Sequence, residues 1–263
     1  MVIAMEARDM VDVDLSADLE EYRIDPCVMV FSDIPTAYKA AKNGRGLYGG
    51  VVIRDRNMAN ASDPGKIYRH LSEKLQKLGS KPYMMALVGG EPEIIGEKVE
   101  IYNSMVDAFM LNLCKDPDKA EEAFEYAMGT TDSPMIIRPN IHMFEKDMGR
   151  FLDFVYKLTE AGSIGVCVKS SIEGPDGIRK DLVYELREYL RQLPIIAECG
   201  MRNADDVTNQ IGSGANFVLF NESLTSKSYK AKRAHIQNVL NSLRNNLKCE
   251  SITEVMCSSM EQE

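Results

Sequence analysis

The chain has no run approaching the roughly 18 consecutive apolar residues that a membrane-crossing helix needs, which argues against a helical membrane protein. It also lacks basic excess. Lys and Arg number 31 against 40 Asp and Glu, a net charge of −9, and no long basic stripe offers the clustered phosphate contacts that nucleic-acid binding requires. The opening stretch MVIAMEARDMVDVDLSADLEEY is too acidic for a secretory signal. Six cysteines (Cys27, Cys114, Cys167, Cys199, Cys249, Cys257) lie far apart, with none of the CxxC pairs of zinc or redox sites, and no metal site is expected from them. The expectation is a soluble cytoplasmic protein whose cysteines stay thiols. Cys27 and Cys167 read as small hydrophobes of the core, whereas Cys114 and Cys199 fall at strand ends, where a chemical role is more open to them.

What the chain does contain is regular alternation. From residue 27 onward short apolar runs alternate with amphipathic helical stretches, as parallel βα units require. Eight runs are predicted as strands: Cys27 to Phe31, Gly50 to Ile53, Tyr83 to Val88, Ala108 to Leu113, Met135 to Ile137, Gly165 to Val168, Ile195 to Ala197 and Phe217 to Phe220. Their near-continuous apolar character suits strands buried on both faces. Helices are predicted after Asp116-Pro117, over 64–79, 146–162 and 176–193, and as a basic final helix from Ser226 to Lys248. With 263 residues, 44% of them hydrophobic, the chain has the size of one (β/α)8 TIM barrel, about 250 residues. The predicted organisation is an α/β single TIM barrel over residues 26–248, preceded by a short N-terminal extension (1–25) and followed by a disordered C-terminal tail (249–263). The stretch from Pro194 to Leu224 shows the pattern best: an apolar run, a turn at Gly200, a helical spacing through Asp205, Val207 and Ile211, and release at Gly214 into Phe217–Phe220.

In this fold chemistry is built at the carboxyl ends of the strands, and the loops after the last two strands commonly hold a phosphate. The polar residues there include Arg54, Asn112, Cys114, Lys115, Arg138, His142, Lys169, Glu198, Arg202, Asn221 and Ser223. Five cations (Arg54, Lys115, Arg138, Lys169, Arg202) converging in an acidic protein point to an anionic or phosphate-bearing ligand. The competing reading pairs them with Glu91, Glu198, Glu222 and Asp55 in structural ion pairs. Lys169 stands out, because a lysine ending a barrel strand can act as base, Schiff-base nucleophile or ligand cation. His142 follows strand five but is more simply an exposed loop residue.

Met85-Ala86-Leu87-Val88-Gly89-Gly90-Glu91, Asp107-Ala108-Phe109-Met110-Leu111-Asn112-Leu113-Cys114, Ala161-Gly162 leading into Val166-Cys167-Val168, and the closing segment Pro194 to Leu224 occur in an order that resembles the FMN-dependent barrels of the tRNA-dihydrouridine synthase and dihydroorotate dehydrogenase families. The resemblance covers roughly residues 80–225. It implies an FMN-dependent oxidoreductase, a flavoprotein that reduces a C=C bond of a pyrimidine-like ring. Lys115 or Cys114 would then be proton donor, Asn112, Arg138 and Lys169 would meet flavin or substrate, and Gly200, Arg202, Asn221 and Ser223 would lie at the flavin phosphate. Against the family pattern, its flavin-facing Gln falls on Ala86, its general-acid Cys on Lys115, its His after strand six on Lys169, and its Gly-Arg-Gly cradle on Asn221-Glu222-Ser223. The family's tRNA-holding helical domain has no counterpart, which argues against tRNA as substrate.

Two further readings stay open. Val168-Lys169-Ser170-Ser171 is similar to the Val/Ile-Lys-Thr-Ser of deoxyribose-phosphate aldolases, which implies a Schiff-base aldolase or lyase using Lys169. Alternatively the chain is a flavin-free barrel that binds an anionic metabolite or a protein partner without turnover. Self-association into a homo-oligomer through the outer helices is left open.

Overall fold

The computed structural model describes residues 27–31, 50–54, 73, 83–144, 147–169, 181–198 and 209–221. Eight strands lie in them: β1 (Cys27–Phe31), β2 (Gly50–Arg54), β3 (Tyr83–Gly89), β4 (Ala108–Asn112), β5 (Met135–Arg138), β6 (Gly165–Lys169), β7 (Ile195–Glu198) and β8 (Phe217–Asn221). Each pairs in parallel with the next, and β1 also pairs with β8, so the sheet closes into a barrel. The single α/β TIM barrel read from the sequence is the fold.

Helices α1 (Pro92–Tyr102), α2 (Pro117–Met128), α3 (Met148–Glu160) and α4 (Asp181–Tyr189) follow β3, β4, β5 and β6. Their starts have local causes. The Asp116 side chain accepts hydrogen bonds from the backbone N–H groups of Asp118 and Lys119 at 3.1 and 3.4 Å, with Pro117 in the first turn of α2, and Asp147 accepts from the Arg150 N–H at 3.1 Å at the start of α3. Both supply acceptors that the first turn lacks.

Strand periodicity sorts the core into two layers. Ile53, Met84, Ala86, Val88, Phe109, Leu111, Met135, Ile137, Val166, Val168, Ile195, Ala197 and Val218 face outward and pack with the helices. Val52, Met85, Ala108, Met110, Ile136, Cys167, Ile196 and Leu219 fill the interior, with Leu87 and Phe217 packed against them.

At the amino ends of the last strands Arg187 of α4 closes the wall. Its guanidinium donates to the Gly214 carbonyl (2.9 and 2.8 Å), to the Asn216 side-chain oxygen (2.6 Å) and to the Arg191 carbonyl (2.6 Å). Gly214 has φ +103°, and a Cβ there would stand 2.6 Å from the Arg187 Cγ, so the turn needs glycine both for its conformation and for this approach.

Strand β1 has its predicted bounds. Strands β2, β3, β5, β6, β7 and β8 each run one residue further than the apolar pattern indicates, to Arg54, Gly89, Arg138, Lys169, Glu198 and Asn221, while β4 stops at Asn112, one short of Leu113. Hydrophobicity marks the buried stretch, but the hydrogen-bond ladder continues into the polar rim. Helices α3 and α4 lie inside their predicted spans. The predicted helices over 64–79 and 226–248, the extension 1–25 and the tail 249–263 lie outside the described residues, apart from helical residue 73.

Candidate functional site at the carboxyl end of the barrel

The strand extensions build the site. Arg54, Asn112, Arg138, Lys169 and Glu198 each stand two residues beyond an interior side chain (Val52, Met110, Ile136, Cys167 and Ile196), so the period of two turns all five toward the barrel axis at its carboxyl end.

Arg138 is the hub. Its Nε donates to the Glu198 Oε2 at 2.7 Å, one Nη lies 2.6 Å from the same oxygen, and the other Nη donates to the Asn112 side-chain oxygen. Both members of the ion pair are largely shielded from water, with side-chain exposures of 16% for Arg138 and 6% for Glu198, which strengthens their attraction relative to a surface pair. Asn112 has room beside Gly89, its register partner on β3. A Cβ on Gly89 would stand 3.2 Å from the Asn112 Cβ and 3.4 Å from its Nδ2, so a side chain there would press on the Asn112–Arg138 contact.

The pair joins β5 to β7 and passes over β6. Cys167 of β6 is fully buried beneath it. Burial pushes its thiol pKa well above the ordinary value, with the Glu198 carboxylate adding to the rise and Arg138 and Lys169 opposing it. The thiol is therefore neutral at physiological pH and unsuited to act as a nucleophile. Two residues on, Lys169 is exposed at the mouth, in register with Glu198, and makes no hydrogen bond or ion pair among the described residues.

Arg54 of β2 differs from Arg138. Its Nε is buried and has no hydrogen-bond partner among the described residues. Its register partner on β3 is Leu87, and the interior positions along the rest of β3 toward its carboxyl end are Met85, Leu87 and Gly89, none with a polar side chain.

Of the residues expected from sequence, the structure brings Asn112 and Arg138 together and sets Lys169 beside them. Cys114 and Lys115 do not join them. Cys114 packs against the outer core, and its thiol donates to the Asp116 carbonyl at 3.3 Å, while Lys115 is exposed on the loop leading into α2. Just beyond that loop, Lys119 of α2 pairs with Glu91 at 2.9 Å. His142 is exposed, with its backbone N–H bonded to the Asn140 side chain. Asn221 ends β8 opposite Val30 of β1; Gly200, Arg202 and Ser223 lie outside the described residues. Glu198 was legible as a neutralising carboxylate but not as the partner of Arg138, and Cys167 was legible only as core. The shared parity of Cys167 with Lys169 on one strand was the available signal.

The described wall fits FMN poorly. Ala86, at the position of the family's flavin-facing Gln, is buried in the outer layer, the interior positions Met85, Leu87 and Gly89 toward the carboxyl end of β3 carry no polar side chain, and Arg138 is committed to Glu198 and Asn112. Among the described residues no cluster of three His, Cys, Asp or Glu side chains could hold a metal ion, and no helix is long and apolar enough to cross a membrane.

No protein-family model matches this chain, and no curated protein matches its sequence. Solved structures do share its fold. Orotidine 5'-phosphate decarboxylase from Pyrococcus horikoshii OT3 is similar with a TM-score of 0.60 and 12% identity, over 82% of this chain and 99% of that one. The native KDPGal structure has a TM-score of 0.58 and 14% identity, over 85% and 97%. A mandelate oxidase variant has a TM-score of 0.57 and 13% identity, over 85% and 74%. At such identities these likenesses establish the TIM-barrel architecture, which the chain shares with proteins of differing chemistry.

Proposed function

We propose that this barrel acts, without flavin, on a small anionic carbonyl compound, with Lys169 as the amine that condenses with the carbonyl in an aldolase- or lyase-type reaction. The observation that carries the reading is Lys169 itself, an inward-facing cation with no partner among the described residues, beside a shielded carboxylate held by Arg138, which Asn112 in turn steadies. In the step, the lysine ammonium and the carbonyl give a protonated imine and one water. Glu198 takes a proton from the ammonium and returns it to the departing oxygen, its Oε2 held by Arg138 and its Oε1 without a partner among the described residues. The protonated imine then draws electrons from the adjacent carbon, which is how amine catalysis breaks a neighbouring C–C or C–X bond.

Treatment with sodium borohydride in the presence of pyruvate, glyoxylate or dihydroxyacetone phosphate should leave a permanent mass adduct on the peptide carrying Lys169, and Lys169→Ala should abolish it. An adduct that persists in Lys169→Ala, or none with any of the three compounds, refutes the reading.

A flavin-dependent oxidoreductase is the second reading, favoured by the order of motifs over residues 80–225 and by the fold shared with mandelate oxidase, one of whose structures carries an FMN adduct. The apolar interior positions toward the carboxyl end of β3 and the committed Arg138 weigh against it. The same purified protein decides: flavin absorbance retained after incubation with FMN and removal of unbound ligand would favour this second reading.

A further inference from the structure

The two arginines at the mouth are in opposite states. Arg138 gives its hydrogens to Glu198 and Asn112, whereas the Arg54 Nε is buried without an acceptor among the described residues. A buried donor left unpaired is destabilising, and native structures retain few of them. On the β3 side nothing relieves it, because Leu87 stands beside Arg54 and the β3 positions on either side of Leu87 facing the interior are Met85 and Gly89. The Arg54 Nε–H is thus a donor in want of an acceptor at the carboxyl end of the barrel, of the kind that a carboxylate or phosphate satisfies.

We infer that Arg54 is the anion-docking residue of the mouth, receiving the oxyanion of the ligand on the wall opposite Lys169. In a closed ring of eight strands β2 and β6 lie four apart in either direction, so Arg54 and Lys169 face each other across the opening. This rests on the Lys169 reading for its second half and names a substrate class: a compound with a carboxylate or phosphate at one end and a carbonyl at the other, long enough to reach between the two walls. Arg138 takes no part in holding the anion and serves to position Glu198.

Inorganic phosphate and oxalate, neither of which can form an imine, separate the two roles. Calorimetric titration of the full chain should show both or one of them bound, and Arg54→Met should weaken that binding by at least about tenfold, as loss of a charge-assisted hydrogen bond does. Arg54→Lys, which keeps the charge but not the planar fork, should also weaken it, while Lys169→Met should stay within about threefold of the unaltered protein. In the unaltered protein the Arg54 Nε–H resonance should move on adding the bound anion. Preference for phosphate identifies the ligand as a phosphate ester and preference for oxalate as a carboxylic acid. Failure of the unaltered protein to bind either anion, equal binding by Arg54→Met, or an Nε–H resonance that stays in place would overturn the assignment. A loss in Lys169→Met as large as in Arg54→Met would overturn the division into two ends. Absence of borohydride trapping with anion binding intact would remove the Lys169 reading and leave Arg54 standing.

Discussion

Arg138 and Glu198 each depend on the other, and the dependence is asymmetric when one is removed. Arg138→Met would leave a shielded carboxylate without its guanidinium partner, and breaking such a pair typically costs about 3–5 kcal/mol, whereas replacing both partners with apolar residues is often near neutral. Urea unfolding should therefore show Arg138→Met strongly destabilised and the double variant Arg138→Met/Glu198→Leu substantially recovered; equal stabilities for the two would mean the pair is not shielded in solution. Cys167 gives a pH signature. Burial holds its folded pKa above the ordinary 9.0, so as pH rises the unfolded chain loses this proton first. The contribution is fully present below about pH 9 and is lost above it, at up to about 1.4 kcal/mol per pH unit until the folded thiol itself ionises. Stability of the unaltered protein minus that of Cys167→Ala, followed from pH 7 to 10.5, should be flat and then fall; a flat difference throughout would show that the thiol is reached by water.

Between elements, the Arg187 clamp joins α4 to the turn before β8 through acceptors that are backbone carbonyls and an amide. None is a carboxylate, so its strength should change little with pH between 4 and 8. Arg187→Met keeps most of the side-chain volume but leaves the Gly214 carbonyl and the Asn216 side chain short of a donor, and should lower stability by about 2–3 kcal/mol; a loss under about 0.5 kcal/mol would place the clamp among ordinary surface contacts. The strands were legible because a parallel strand covered on both faces must be apolar along its length. Their last residues were not, since Arg54, Arg138, Lys169 and Glu198 are where that pattern stops. Helix α1 was the least legible, with Ile94 and Ile101 exposed and an N-terminal Glu91 that makes no side-chain cap.

Across the whole molecule, closure creates neighbours that no local pattern reveals. Arg138 and Glu198 are 60 residues apart in the chain and meet only because β5 and β7 flank β6 in the ring. For the same reason the sequence placed a set of cations near the mouth without showing which were already paired, and it offered Cys114 and Lys115 as site residues because linear distance from a strand end says nothing about the direction a loop takes. The route of the Arg138–Glu198 pair over β6 bears on shape. A brace that skips a strand resists widening of the arc beneath it: a broad, flat guest that wedged β5 from β7 would have to stretch two short hydrogen bonds at once, whereas a slender one can enter beside Lys169 with the brace intact. For a ligand of the kind proposed, this side of the barrel would act as a fixed gauge, sorting guests by girth before any charge is recognised.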